Sequence, residues 1–171
     1  MAYQIKLNIK GETCVFTRNG EPTLRDTTNA LKVQQQQLRM LNRKDGPSND
    51  DYDENEKNLA KFAVDFWKNQ FTADDVIDGS SISLKSLDSI NDAIGDSLSD
   101  GEEDKKDTAK KITEADVKEA ISNLDDFYKA RLSEGYRLAD VDAMTLRDIE
   151  KLNQIYEERE TTIDKAFPFL F

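Results

Sequence analysis

Lys61–Gly79, KFAVDFWKNQFTADDVIDG, is the stretch on which the reading of this chain turns. It holds the only Trp and three of the eight Phe, namely Phe62, Phe66 and Phe71. Phe62, Ala63, Phe66 and Trp67, with Leu59 upstream, recur at three- and four-residue spacing, which gathers them on one side of a helix. That side is expected to be buried. The pattern then breaks at Thr72, whose hydroxyl can accept from the N–H groups that open a new turn, and Asp75 three residues on completes a helix-start signature. Asp74 and Asp75 also suit the positive end of a helix dipole. Gly79 is expected to close this short element in the left-handed conformation. A helix, a corner and a second helix around a small core account for all of these residues.

Upstream, Tyr3, Ile5, Leu7 and Ile9 alternate with Gln4, Lys6, Asn8 and Lys10, the two-residue period of a strand with one wet face. Thr13 to Thr17 is again β-branched and aromatic, so the segment reads as a β-hairpin turning at Gly11. A lone hairpin is marginal in water, so it must rest on a helix or on a neighbouring subunit. Gly20-Glu21-Pro22 breaks the strand, and Thr23 with Asp26 starts a helix whose stripe is Leu24, Ala30, Leu31, Leu38 and Leu41. The run Gln34 to Gln37 belongs on that helix, since glutamine is a good helix former. Residues 42–56 contain Gly46, Pro47 and six acids, and are expected to form a flexible acidic loop. Asp50, Asp51, Asp53 and Glu54 lack the spacing and central Gly of an EF-hand. Downstream, Leu84, Leu87, Ile90, Ile94 and Leu98 predict a further amphipathic helix.

This order of elements resembles the tail assembly chaperones of long-tailed, siphovirus-type phages of Gram-positive bacteria. The likeness rests on the aromatic helix, Asn69-Gln70-Phe71-Thr72, the two acids and Val76-Ile77-Asp78-Gly79, preceded by the strand pair and followed by an amphipathic helix. It covers Tyr3 to Leu98 and, more weakly, the segment after Thr113. The fold class expected is mainly α with an N-terminal β-hairpin: a helical first domain over 1–98, a charged linker over 99–111, and a C-terminal helical hairpin over 112–171. In that second part Thr113 with Asp116 and Thr145 with Asp148 are helix starts. Their stripes run Val117, Ile121, Leu124, Tyr128, Leu132 and then Leu146, Ile149, Leu152, Ile155, Tyr156, with a short turn of helix at Leu138, Val141 and Met144 between them. The chain ends Phe167-Pro168-Phe169-Leu170-Phe171, an apolar terminus suited to packing away or to docking.

Composition bounds the function. The 171 residues carry a net charge of −11 and no His, which disfavours binding to a phosphate backbone and removes the usual general base and transition-metal ligand. No constellation for catalysis is found, and no cofactor is expected. Cys14, the single cysteine, lies in the second strand and cannot form an internal disulfide. No stretch approaches the ~20 apolar residues of a membrane span, and no leader is visible, so neither nucleic acid nor membrane is an expected partner.

What remains is binding surface, with Phe66, Trp67, Phe71, Val76, Ile77, Phe167, Phe169, Leu170 and Phe171 as candidate partner-contacting residues. The resemblance implies that the first domain self-associates and coats the tape measure protein, and that the second recruits the major tail tube protein. It implies action in the host cell cytoplasm and absence from the mature virion. It also allows a programmed frameshift joining the two parts, for which Lys105-Lys106 is a suitable place. Two other readings are a tail or head-completion adaptor retained in the particle, and an acidic DNA mimic that inhibits a host enzyme.

Overall fold

A computed structural model describes residues 2–99 and 113–152. The chain is mainly helical with an N-terminal β-hairpin, in the order β1 (Ala2–Ile9), β2 (Glu12–Asn19), α1 (Leu24–Leu41), α2 (Asn49–Phe66), α3 (Ala73–Gly79), α4 (Ser86–Leu98), α5 (Glu114–Ser133) and α6 (Leu138–Asp142). Residues 146–152 are again helical. The strands pair antiparallel with Ile9 opposite Glu12, leaving a two-residue turn. Lys10 (φ 53°) and Gly11 (φ 85°) form it, both at the positive φ that matches the twist of the flanking strands.

The inner face of β1 is Tyr3, Ile5 and Leu7, all buried, and it rests on the helices as the hairpin requires. Phe62, Phe66, Trp67 and Phe71 meet it from α2 and the corner that follows. Phe66 lies at the centre, edge-on to Tyr3 at 5.0 Å and to Trp67 at 4.9 Å, and stacked on Phe62 at 5.5 Å. Phe71 continues the cluster to Phe16 of β2 at 4.9 Å. Such ring pairs add to the burial of their area. Trp67, Phe66, Ile5 and Leu7 are fully buried.

Helix starts repeat one device. Thr72 donates its backbone N–H to the Asp75 carboxylate at 2.8 Å, and Asp75 returns its N–H to the Thr72 hydroxyl at 3.2 Å. Thr113 with Asp116 and Thr145 with Asp148 do the same. So do Ser48 and Asp51, and this corrects the reading of 42–56 as a flexible loop. Residues 49–56 are the first two turns of α2, nucleated by the Ser48 cap and tied to Arg43, which contacts both Ser48 and Asp51. Composition alone favours disorder there; reciprocal capping and the buried C-terminal half of the same helix outweigh it.

α2 ends in a way no glycine signals. The Lys68 N–H reaches the Asp65 carbonyl at 3.1 Å and the Asn69 N–H reaches Val64 at 2.9 Å, the paired bonds of a Schellman motif, with Lys68 and Asn69 both at φ 57°. Gly79 is a second correction. It lies within α3 and is not at positive φ. Its role is close approach: a Cβ there would lie 2.7 Å from the Asn8 carbonyl oxygen of β1. A third correction concerns α4. Its buried line is Ser86, Ile90, Ala93 and Ser97, whereas Leu87 is 52 % exposed. Serines are tolerated inside because they are hydrogen-bonded: the Ser86 hydroxyl donates to the Lys6 carbonyl at 2.7 Å and Ser97 to Ala93 at 2.7 Å, while Thr27 of α1 donates to the Ser97 carbonyl at 2.9 Å. Leu41 of the predicted α1 stripe is also exposed.

α5 and α6 pack on α1. Val117 and Val141 are buried, the Tyr128 hydroxyl donates to Asp142 at 2.9 Å, and the N–H of Leu24, at the start of α1, reaches the Met144 carbonyl at 2.6 Å. Thus an orphan donor of the α1 N-terminus is satisfied by the second half of the chain. α5 ends in a Schellman motif of its own, with Gly135 at φ 94°. The predicted linker, the residues beyond Leu152 and the aromatic terminus lie outside the described residues.

Candidate partner-binding surface

The candidate contact residues fall into separate groups. Phe66, Trp67, Phe71 and Val76 are buried in the core, the Trp67 indole N–H without a hydrogen-bond partner among the described residues and Val76 also lining the cleft described next. The aromatic face of α2, expected to be buried, is buried, and Phe66, Trp67 and Phe71, also named as contact candidates, lie in the core of this chain. Ile77 is half-buried and reaches the surface. Phe167, Phe169, Leu170 and Phe171 lie outside the described residues.

Ile77 opens onto a cleft between α2, α3 and α4 with a volume of about 300 Å³. Tyr52, Leu59 and Ala60 line it from α2, Val76 and Ile77 from α3, and Leu87 and Ile90 from α4. Two polar atoms face this largely apolar lining: Asn55 Oδ1 and Ser80 Oγ, both buried and without a hydrogen-bond partner among the described residues. Tyr52 (54 %) and Leu87 (52 %) are large apolar groups left half in solvent, and Ile82 in the α3–α4 connection is 95 % exposed. Of the residues that make this surface, Val76 and Ile77 are among the contact candidates read from the sequence, but Tyr52 and Leu87 are not. Tyr52 falls in the stretch whose composition reads as a loop, and Leu87 has the spacing at which leucine usually packs inward. A tyrosine alone among acids is the available signal.

The second surface is the hairpin's outer side, Gln4, Lys6, Asn8, Thr13, Val15 and Thr17, polar but for Val15, which is 54 % exposed. On the free side of β2 the Thr17 carbonyl is taken by the Gln70 amide at 3.0 Å. A side-chain cap of this kind blunts one position of an exposed strand edge.

Behind these surfaces is a buried ion pair that anchors the hairpin. Arg18 of β2 is 5 % exposed and Asp26 of α1 is 2 % exposed; their Nη2···Oδ2 distance is 2.6 Å. Arg18 also donates to the Phe66 carbonyl at 3.0 Å and to the Glu21 carbonyl at 3.2 Å, and its guanidinium lies 4.0 Å from the centre of the Phe66 ring. Asp26 accepts from the Thr23 N–H at 2.8 Å. Burial pushes the Asp26 carboxyl up, but Arg18 and the Thr23 donors prevail and hold it below the ordinary carboxylate range. The pair joins strand, helix and aromatic cluster at one point.

Among the described residues no group of three or more His, Cys, Asp or Glu could hold a metal ion, and no helix is long and apolar enough to cross a membrane. Among the described residues, then, a β-hairpin rests on a compact set of capped helices, with an open, largely apolar cleft between α2, α3 and α4. A family model described as phage tail chaperone protein matches residues 1–114, and the chain belongs to that family. The match spans β1 to the start of α5, so the surfaces above fall within it and nearly all of α5, with α6, falls outside. Neither curated proteins nor solved structures give a match.

Proposed function

We propose that this phage tail chaperone holds the tape measure protein in solution before the tail tube polymerises, and brings major tail tube subunits to it. Membership of the phage tail chaperone family over residues 1–114 is the observation that carries this reading. The surface fits such a role. An acidic exterior keeps a complex soluble by self-repulsion, while an open apolar cleft offers contact to a client. The role is non-enzymatic and is exercised in the cytoplasm of the infected cell. The chain self-associates around the client and leaves before the virion is complete.

The segment 112–171 is assigned to tube recruitment, with its aromatic end, Phe167 to Phe171, as the docking peptide. Co-expression with the tape measure protein of the same phage tests the proposal, scored by the soluble, co-purifying fraction of that protein. Deleting Phe167–Phe171 should leave solubilisation intact and weaken capture of tube subunits. Recovery of the chain in purified particles at stoichiometric levels would contradict the transient role.

A further inference from the structure

The α2–α3–α4 cleft is unused by the fold's own packing, and its chemistry specifies an occupant. Its lining is largely apolar, with Asn55, Glu56 and Ser80 as the polar members, and two large apolar side chains, Tyr52 and Leu87, stand half exposed at its mouth. An occupant therefore needs an apolar group to fill the space.

Charge narrows the choice. α3 and α4 contain no Lys or Arg, and Asp78, Asp88 and Asp92 are exposed on them. Asp53 and Glu56 are exposed beside Tyr52 on α2, and against these five acids stand two exposed bases, Lys57 on α2 and Lys85 at the α4 cap, so the rim is acidic on balance. A second copy of this chain, with net charge −11, would meet like charge at this rim. The chain's own terminus is a poorer match than a basic helix, since the segment before its aromatics carries Glu157, Glu158, Glu160 and Asp164 against Arg159 and Lys165. A helix with an apolar stripe flanked by Lys and Arg meets a rim of net opposite charge.

We propose that this cleft seats one amphipathic helix of a client protein, basic on its flanks, with a large apolar side chain in the cavity. This deepens the chaperone reading and rests on it for the occupant being a client; the chemistry of the cleft stands separately.

The test uses the full chain in two measurements. In the first, a synthetic Leu/Lys peptide patterned as an amphipathic helix is titrated into isotope-labelled protein, with the matching Leu/Glu peptide as the charge control. The Leu/Lys peptide is expected to move the amide resonances of Tyr52, Ile77, Ser80 and Leu87, and the Leu/Glu peptide to bind at least roughly tenfold more weakly. Tyr52→Lys with Leu87→Lys changes positions already half exposed, so helical circular dichroism and melting persist while binding falls at least roughly tenfold; Val15→Lys on the hairpin leaves it unchanged. Shifts spread over the acidic surface, or equal binding by the double variant, would overturn the proposal. A fall in mass by light scattering on the double substitution would identify a second copy as occupant. The same resonances moving on deletion of Phe167–Phe171, with no peptide added, would identify the chain's own terminus. Either result also overturns it.

The second measurement separates this inference from the reading it rests on. If the Tyr52→Lys/Leu87→Lys chain solubilises the tape measure protein as well as the wild type does, the cleft proposal falls and the chaperone reading stands. If the wild type binds the Leu/Lys peptide at the cleft yet solubilises no tape measure protein, the cleft stands and the chaperone reading falls.

Discussion

A single methyl group at Gly79 distinguishes close approach from backbone freedom as the reason for that glycine. Glycine in a helix is ordinarily a weakness, and replacing it by alanine gains up to about 1 kcal/mol. At Gly79 the opposite is expected. The added Cβ would stand 2.7 Å from the Asn8 oxygen and 3.3 Å from the Asn8 carbonyl carbon, against an ordinary contact of roughly 3.5 Å. Asn8 cannot turn aside, because it is backbone paired with Thr13 next to the hairpin turn. Either α3 or β1 must shift, and overpacking of this kind costs about 1–3 kcal/mol. Set against the propensity gain, Gly79→Ala should lose about 1–2 kcal/mol, which for a chain of this size lowers the melting temperature by roughly 2–8 °C. Gly95, on α4, is the control: it is exposed, helical, and a Cβ there meets nothing within 4 Å. Gly95→Ala should therefore raise the melting temperature by a few degrees, about 0.5–1 kcal/mol. Thermal and urea unfolding of the two variants, followed by helical circular dichroism, reads both signs. A Gly79→Ala protein melting at or above the wild type would refute the packing of α3 on β1.

Three further outcomes are expected. Asp26→Ala leaves Arg18 buried without its carboxylate and should cost about 3–5 kcal/mol, whereas Arg18→Met with Asp26→Leu should recover much of that, short of about 1 kcal/mol for the lost Thr23 contact; equal losses in the single and double variants by urea unfolding would contradict the buried pair. The carboxyls of Asp26, Asp51, Asp75 and Asp148 are all held below the ordinary value of 3.8, so their contribution is complete above the unfolded pKa and is lost as pH falls through the folded ones. Melting temperature should hold from pH 7 to 5 and drop below about pH 4; a flat profile down to pH 2.5 would argue against these caps. Tyr128→Phe removes the hydrogen bond to Asp142, a contact whose burial and carboxylate partner push the phenol up to about 12. It should cost about 1 kcal/mol and speed amide exchange in α6 without touching β1, and unchanged α6 exchange would place little weight on that contact.

The parts of the fold that follow from local chemistry are readable in the sequence. The hairpin shows in its alternation, and the starts of α1, α3 and α5 show in Thr-x-x-Asp. What is not readable depends on partners distant in sequence. Arg18 gives no sign of burial until Asp26 and the Phe66 ring are placed beside it, and Ser86 is admissible inside only because the Lys6 carbonyl is there to accept from it. The first turns of α2 are obscured because acidic composition argues for disorder while a serine cap argues for a helix, and only the tertiary packing of Ala60 to Phe66 decides between them. The contact surface is hidden for a related reason. Aromatic spacing identifies a face that must be covered without saying what covers it, and here Tyr3 of β1 packs on Phe66 while Leu87 and Tyr52 are left outside.

Whether this chain keeps a tail component in solution is measured most directly by co-expressing the full chain with the tape measure protein of its own phage. The readout is the fraction of that protein remaining soluble and co-purifying, relative to its expression alone. A chaperone of this kind should give a large rise in the soluble fraction and a stable complex between the two. An unchanged soluble fraction with no association, together with the chain found in finished particles, would contradict it.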